Sequence, residues 1–183
     1  AFGVSIRSPK EGIGAIEQLK AESIQVNLNL LDHRAIESGL MKSATTNQVS
    51  LIARTPLCFG FLSGKINKTT HFDKQDHRSR WSNRQIQNWI EGSKKVLSCK
   101  TDFSSQTNTQ FALRFCLSYS RVTTAIPGAL NELEVKENIK DIEEKAEIVF
   151  RKNHFEPSLK EVQEVNEIII KFLKNKKKII YGG

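Results

Sequence analysis

Cysteine, proline and methionine are scarce: the chain has three Cys, four Pro and one Met, and it opens on Ala rather than Met. Cys58, Cys99 and Cys116 lack the spacing of metal ligands and are too few for a disulfide framework, so a reducing cytoplasm is the simplest setting. No run is long and apolar enough to cross a bilayer, and no signal peptide is visible. Also missing are aromatic-interleaved RNA motifs and zinc-finger spacings. The net charge of +8 and pI near 9.5 therefore read as a solvated basic surface, densest at KNKKK (174–178), rather than a nucleic-acid site. That basic character suits phosphate-bearing ligands.

What is present is alternation. Phe2 to Ile6 is a short strand, and Ser8-Pro9-Lys10-Glu11 then supplies a cap, a Pro for the first helical turn and a capping-box Glu. Ile13, Ile16 and Leu19 recur at helical spacing, and Ile24 to Leu28 reads as a second strand. Asp32 is placed to cap a helix in which Ile36 and Leu40 share a face. Val49, Leu51, Ile52 and Ala53 form a third strand, apolar enough to expect burial on both faces. After a long insert, Thr107 and Gln110 open a helix carrying Phe111 and Phe115. Val122 to Ile126 is the fourth strand, and Asn131 with Glu134 forms another capping box.

Four βα units imply parallel strands joined by long crossovers. The expected fold is half of a (β/α)8 barrel, residues 1–150, with 151–183 as a helical extension or the start of another domain. In such barrels chemistry gathers at the strand ends. Here those ends carry Ser5 and Arg7, Asn27 and Asn29, Arg54 and Thr55, and Pro127 and Gly128. A half-barrel leaves two unpaired edges, so a missing N-terminal half or self-association is expected to cover them.

Within the insert, His71, Asp73, Asp76 and His77 match no zinc spacing, and no metal is expected. Trp89, on a helix opened by Ser82 and Gln85, reads as a packing aromatic.

The segments IQVNLNLLDHRAIE, IARTPLCFGFLSGK and IPGALNELEVKEN, in that order and spacing, resemble the C-terminal half of the aldo-keto reductases from GVSIRSP to about residue 146. That family binds an extended nicotinamide cofactor without a GxGxxG motif, so the absence of one here is no objection. The resemblance implies an NAD(P)H-dependent reduction of small aldehydes or ketones. It places Ser5 and Gln25 at the nicotinamide carboxamide, a group that needs both donors and acceptors. Family members often carry Asn after that Ser, where this chain has Ile6. Arg54 and Thr55 stand where many relatives have an aromatic residue and Ser, so Arg54 is expected to stack, or to contact substrate or pyrophosphate.

By the same resemblance, Thr55, Leu57, Gly60 and Lys65 run beside the pyrophosphate, and Arg78 or Arg80 approaches the phosphates from the insert. Gly128, Glu137 and Asn138 lie on the adenosine side. Leu130 and Glu134 occupy positions where relatives carry the basic residues that grip a 2′-phosphate. Discrimination between NADP(H) and NAD(H) is therefore expected to be weak, with a lean toward NADP(H). The family's catalytic Asp, Tyr, Lys and His belong to the first half of the barrel. Tyr119 and Tyr181 match neither its Tyr nor its place, so no catalytic residue is expected in this chain. A helix from Pro157 followed by KKKIIYGG faintly resembles the entrance to a nucleotidyltransferase domain. The alternative function is thus a non-catalytic nucleotide-binding or interaction segment of a multidomain protein.

Overall fold

The computed structural model describes residues 1–100 and 106–139. The expected extension at 151–183, with its basic cluster and Tyr181, lies outside the described residues. Strands β1 (Gly3–Ser5), β2 (Ser23–Asn27), β3 (Ser50–Arg54) and β4 (Val122–Ile126) form one parallel sheet in the order β1-β2-β3-β4. Helices α1 (Pro9–Leu19), α2 (Arg34–Glu37), α3 (Leu40–Thr46), α4 (Asn83–Leu97) and α5 (Asn108–Leu117) fill the crossovers, and 132–139 is helical beyond β4. This is the α/β, parallel-strand half-barrel that the alternation implies.

Helix α1 starts where its sequence dictates. The Glu11 carboxylate accepts the N–H groups of Arg7 (2.9 Å) and Ser8 (3.2 Å), two donors with no intrahelical partner. The same bonds, Arg7 first, hold the Glu11 carboxyl below its ordinary pKa. At α5, Thr107 and Gln110 close the reciprocal capping box (3.0 and 3.2 Å).

Three expectations change in detail. Leu19 is 60% exposed, because the inward face of α1 is made by Pro9, Gly12, Ala15 and Ile16. The single helix expected after Asp32 is two, α2 and α3, split at Gly39, whose φ of +86° is a left-handed conformation that favours glycine. Asp32 instead grips Arg34, accepting from its backbone N–H (3.3 Å) and guanidinium (2.9 and 2.7 Å). Finally, β3 is sealed on one face only: Leu51 and Ala53 are buried, while Ile52 is half-buried.

That asymmetry runs through the sheet. Ile24, Val26, Leu51, Ala53 and Val122 pack with Ile6, Ile16, Leu40 and Cys116 in one core. A second core, of Leu30, Leu31, Cys58, Phe61, Leu62, Trp89, Ile90, Val96 and Ala112, sits among the loops and α4, and Phe115 packs against both. The alternate strand residues occupy the opposite, open face. In register these are Ser5, Gln25, Ile52 and Thr124, then Asn27, Arg54 and Ile126. A register shift between Leu51 and Ile52 leaves Thr123 as the extra residue of β4.

Candidate functional site

Strand alternation brings three of the expected site residues together on the open face. Ser5 lies opposite Gln25 in register, and its Oγ donates to Gln25 Oε1 at 3.1 Å. Arg54 ties the strand ends together: Nε donates to Asn27 Oδ1 (2.8 Å), Nη1 to Ser5 Oγ (3.0 Å) and Nη2 to the Ile6 carbonyl (3.0 Å). Ile6 thus contributes a backbone acceptor. Asn27 belongs to this cluster although it was absent from the expected cofactor set. Its signal was positional, two residues beyond Gln25 on a strand and therefore on the same face.

Backbone geometry changes directly after Arg54. Thr55, Cys58 and Phe59 have φ of 52°, 46° and 55°, and Gly60 has 92°. Non-glycine residues in this region cost on the order of 1–3 kcal/mol each, so surrounding contacts must hold them. They are visible: Asn29 Nδ2 donates to the Thr55 carbonyl (3.0 Å), Leu31 N–H donates back to Asn29 Oδ1 (2.8 Å), and Thr55 Oγ1 bonds the Arg54 carbonyl (2.7 Å). The N–H groups of Cys58, Gly60, Leu62 and Gly64 are all spent within the loop. Side chains, rather than these amides, are what the loop has to offer an anion. Leu57 turns its side chain to the second core.

The insert reaches the same loop through Arg78. Its guanidinium donates to Asp76 through Nε (3.0 Å to each carboxylate oxygen) and through Nη1 to the Phe59 carbonyl (2.9 Å), and lies 4.5 Å over the Phe72 ring. This contact, chiefly the Arg78 side chain, pulls the Asp76 carboxyl down to about 2. A Cβ on Gly60 would lie 3.3 Å from Arg78 Nη1. Arg80 is exposed. His71, Asp73 and His77 stand in the polar insert, and no cluster of three or more metal-binding side chains occurs among the described residues. Trp89 is buried, stacked on Phe59 (5.4 Å) and edge-on to Phe61 and Trp81.

A third group lies beyond β4. Lys65 Nζ stands 3.9 Å from Glu134 and 3.8 Å from Glu137. Asn131 Oδ1 accepts the Glu134 N–H (3.0 Å), but the Glu134 carboxylate takes the Leu130 N–H (2.8 Å), one residue earlier than a capping box would place it. Asn138 is buried, whereas Leu130 and Gly128 are exposed.

Among the described residues, no acid–base group hydrogen-bonds with Ser5, Gln25, Asn27 and Arg54. Tyr119 packs against the helix-side core with its ring edge-on to Phe115. His33 is buried and stacked on Phe115 at 5.1 Å, and burial pushes its imidazole down to about 4. Burial also raises the thiols, that of Cys116 to about 12 and that of Cys58 further, with the Asp32 charge adding to the shift at Cys58.

A model of the Aldo/keto reductase family matches residues 2–156. L-glyceraldehyde 3-phosphate reductase of Escherichia coli is 29% identical over 147 residues, covering 75% of this chain and 42% of that protein. A probable voltage-gated potassium channel subunit beta of Arabidopsis thaliana is 25% identical over 124 residues, covering 65% of this chain and 38% of that protein. Among solved structures, the glycerol dehydrogenase of Gluconobacter oxydans superposes with a TM-score of 0.70 at 26% identity, covering 94% of this chain and 50% of its own. The chain thus spans half or less of the length of these relatives.

Proposed function

The chain belongs to the aldo/keto reductase family, and on that premise we propose that it is the cofactor-binding half of an NAD(P)H-dependent reductase of aldehydes or ketones. The observation that carries this is the placement of Ser5, Gln25 and Arg54 in one hydrogen-bonded group on the open face. Ser5 and Gln25 fit a carboxamide, since a hydroxyl and a side-chain amide can each donate and accept. Thr55, Leu57, Gly60, Lys65 and Arg78 would flank the pyrophosphate, and Gly128, Glu137 and Asn138 the adenosine. Bound nicotinamide supplies the hydride for the carbonyl carbon. This chain's part is to orient the ring and exclude water, while protonation of the carbonyl oxygen falls to residues of another barrel half. Substrate meets the nicotinamide at the strand ends.

The same proposal places the protein in the cytoplasm, in keeping with three unpaired cysteines. No helix among the described residues is long and apolar enough to cross a membrane. Sheet edges β1 and β4 would pair with the other half-barrel, or with a second copy when it is absent. Residues 1–183 alone should bind cofactor without turning over aldehydes. Steady turnover by the purified chain would overturn the division of labour. A second function, a cofactor-sensing interaction segment, is favoured by the likeness to a probable voltage-gated potassium channel subunit beta. Activity restored by adding a family N-terminal half would decide against it.

A further inference from the structure

Arg54 is the one charged side chain among the strand residues, and among the described residues none of its hydrogen-bond partners is a carboxylate. Two other cations on the expected cofactor path stand beside carboxylates: Arg78 beside Asp76, and Lys65 beside Glu134 and Glu137. A guanidinium has five N–H donors. Three are used on Asn27, Ser5 and Ile6, one from each nitrogen, which leaves one N–H on each terminal nitrogen. Two free donors on one guanidinium suffice to meet two oxygens of one oxyanion. Its presentation is also fixed, because the next residue, Thr55, is held at positive φ by Asn29 and by its own hydroxyl. An observed backbone outlier beside a half-buried cation with no carboxylate hydrogen-bond partner among the described residues is grounds for assigning it a ligand.

We propose that Arg54 is an oxyanion-binding residue of the open face, taking a phosphate group that belongs either to a small phosphorylated carbonyl substrate or to the cofactor's pyrophosphate. This rests on the cofactor reading above. Neutral acceptors hold the guanidinium in place without cancelling its charge, so the site is electrostatically ready before the ligand arrives.

The test uses the full chain, wild type, Arg54→Gln and Arg54→Lys, with inorganic phosphate and NADPH as probes followed by calorimetry, and circular dichroism to confirm that each variant keeps its fold. Phosphate binding to the wild type should weaken by about tenfold or more in Arg54→Gln, the loss of the charge-assisted donors, and recover only in part in Arg54→Lys. If a substrate phosphate is the natural ligand, phosphate still binds the wild type with NADPH present, since separate sites do not compete. If the pyrophosphate is the ligand, NADPH affinity falls along with phosphate affinity and the two compete. Phosphate affinity equal in wild type and Arg54→Gln, or no phosphate binding at all, overturns the assignment. Arg54-dependent phosphate binding without any NADPH binding would uphold the oxyanion site while sinking the cofactor reading.

Discussion

On the face of the sheet turned toward the helices, Ile24, Val26, Leu51 and Ala53 are sealed from solvent, whereas the residues between them, Gln25, Asn27, Ile52 and Arg54, remain partly open on the other face. Both faces are read from the same few residues by strand alternation. The covered face holds the fold together. The open face spends its polar groups on one another and on Arg54, in an arrangement that contributes little burial and, among the described residues, gives the cation no carboxylate hydrogen-bond partner. The difference separates residues kept for packing from residues available for a ligand.

Neighbouring positions of β3 test that separation most severely. Leu51→Ala should cost about 2–5 kcal/mol in urea unfolding, the range for truncating a buried Leu. Ile52→Ala, one residue on but facing the other way, should cost about 1 kcal/mol. Equal losses would mean that the open face is packed in solution.

Acid should act first on the covered side, before the lowered carboxyls of Glu11 and Asp76 titrate. Buried His33 has its pKa lowered from 6.5 to about 4, so the unfolded chain binds the proton more readily and folding stability falls as pH falls. The loss begins near pH 6.5, levels off below about pH 4 and reaches about 3 kcal/mol at ~1.4 kcal/mol per unit. In His33→Phe this part of the slope should vanish between pH 6.5 and 4. An unchanged slope would place the acid sensitivity elsewhere.

The smallest effect concerns the compensated cation. Glu134 occupies the Leu130 N–H and stands near Lys65, so Glu134→Gln should raise NADPH affinity relative to NADH by about threefold, the scale of one exposed charge contact. Leu130→Arg should act in the same direction. If the wild type already prefers NADPH by more than about 3 kcal/mol, beyond what one or two exposed contacts supply, this account of the adenosine side is wrong.

The strands and the caps at Glu11 and Thr107 were legible because local periodicity and capping chemistry fix them. So were Ser5 and Arg54 as rim residues, through the polar ends of their strands, whereas Gln25 was singled out only by the family resemblance. The break at Gly39 was hidden because an isolated Gly is tolerated within a helical pattern, and the exposure of Leu19 because periodicity does not say where a helix leaves the core. Arg54 bonding to Asn27 and Ile6 depends on register between strands distant in sequence. The positive φ values at Thr55, Cys58 and Phe59 run against residue preference, and only long-range contacts such as Asn29 to Thr55 sustain them.

The central claim is that the open face carries a nicotinamide site built on Ser5 and Gln25. Titrating the full chain into NADPH and NADH, with cofactor fluorescence as the signal, tests it most directly. One-to-one saturable binding is expected, weakened by about tenfold or more in a Ser5→Ala, Gln25→Leu double variant, since two hydrogen bonds at about 1 kcal/mol each are lost. Absence of saturable binding, or affinity unchanged in that variant, would contradict the account.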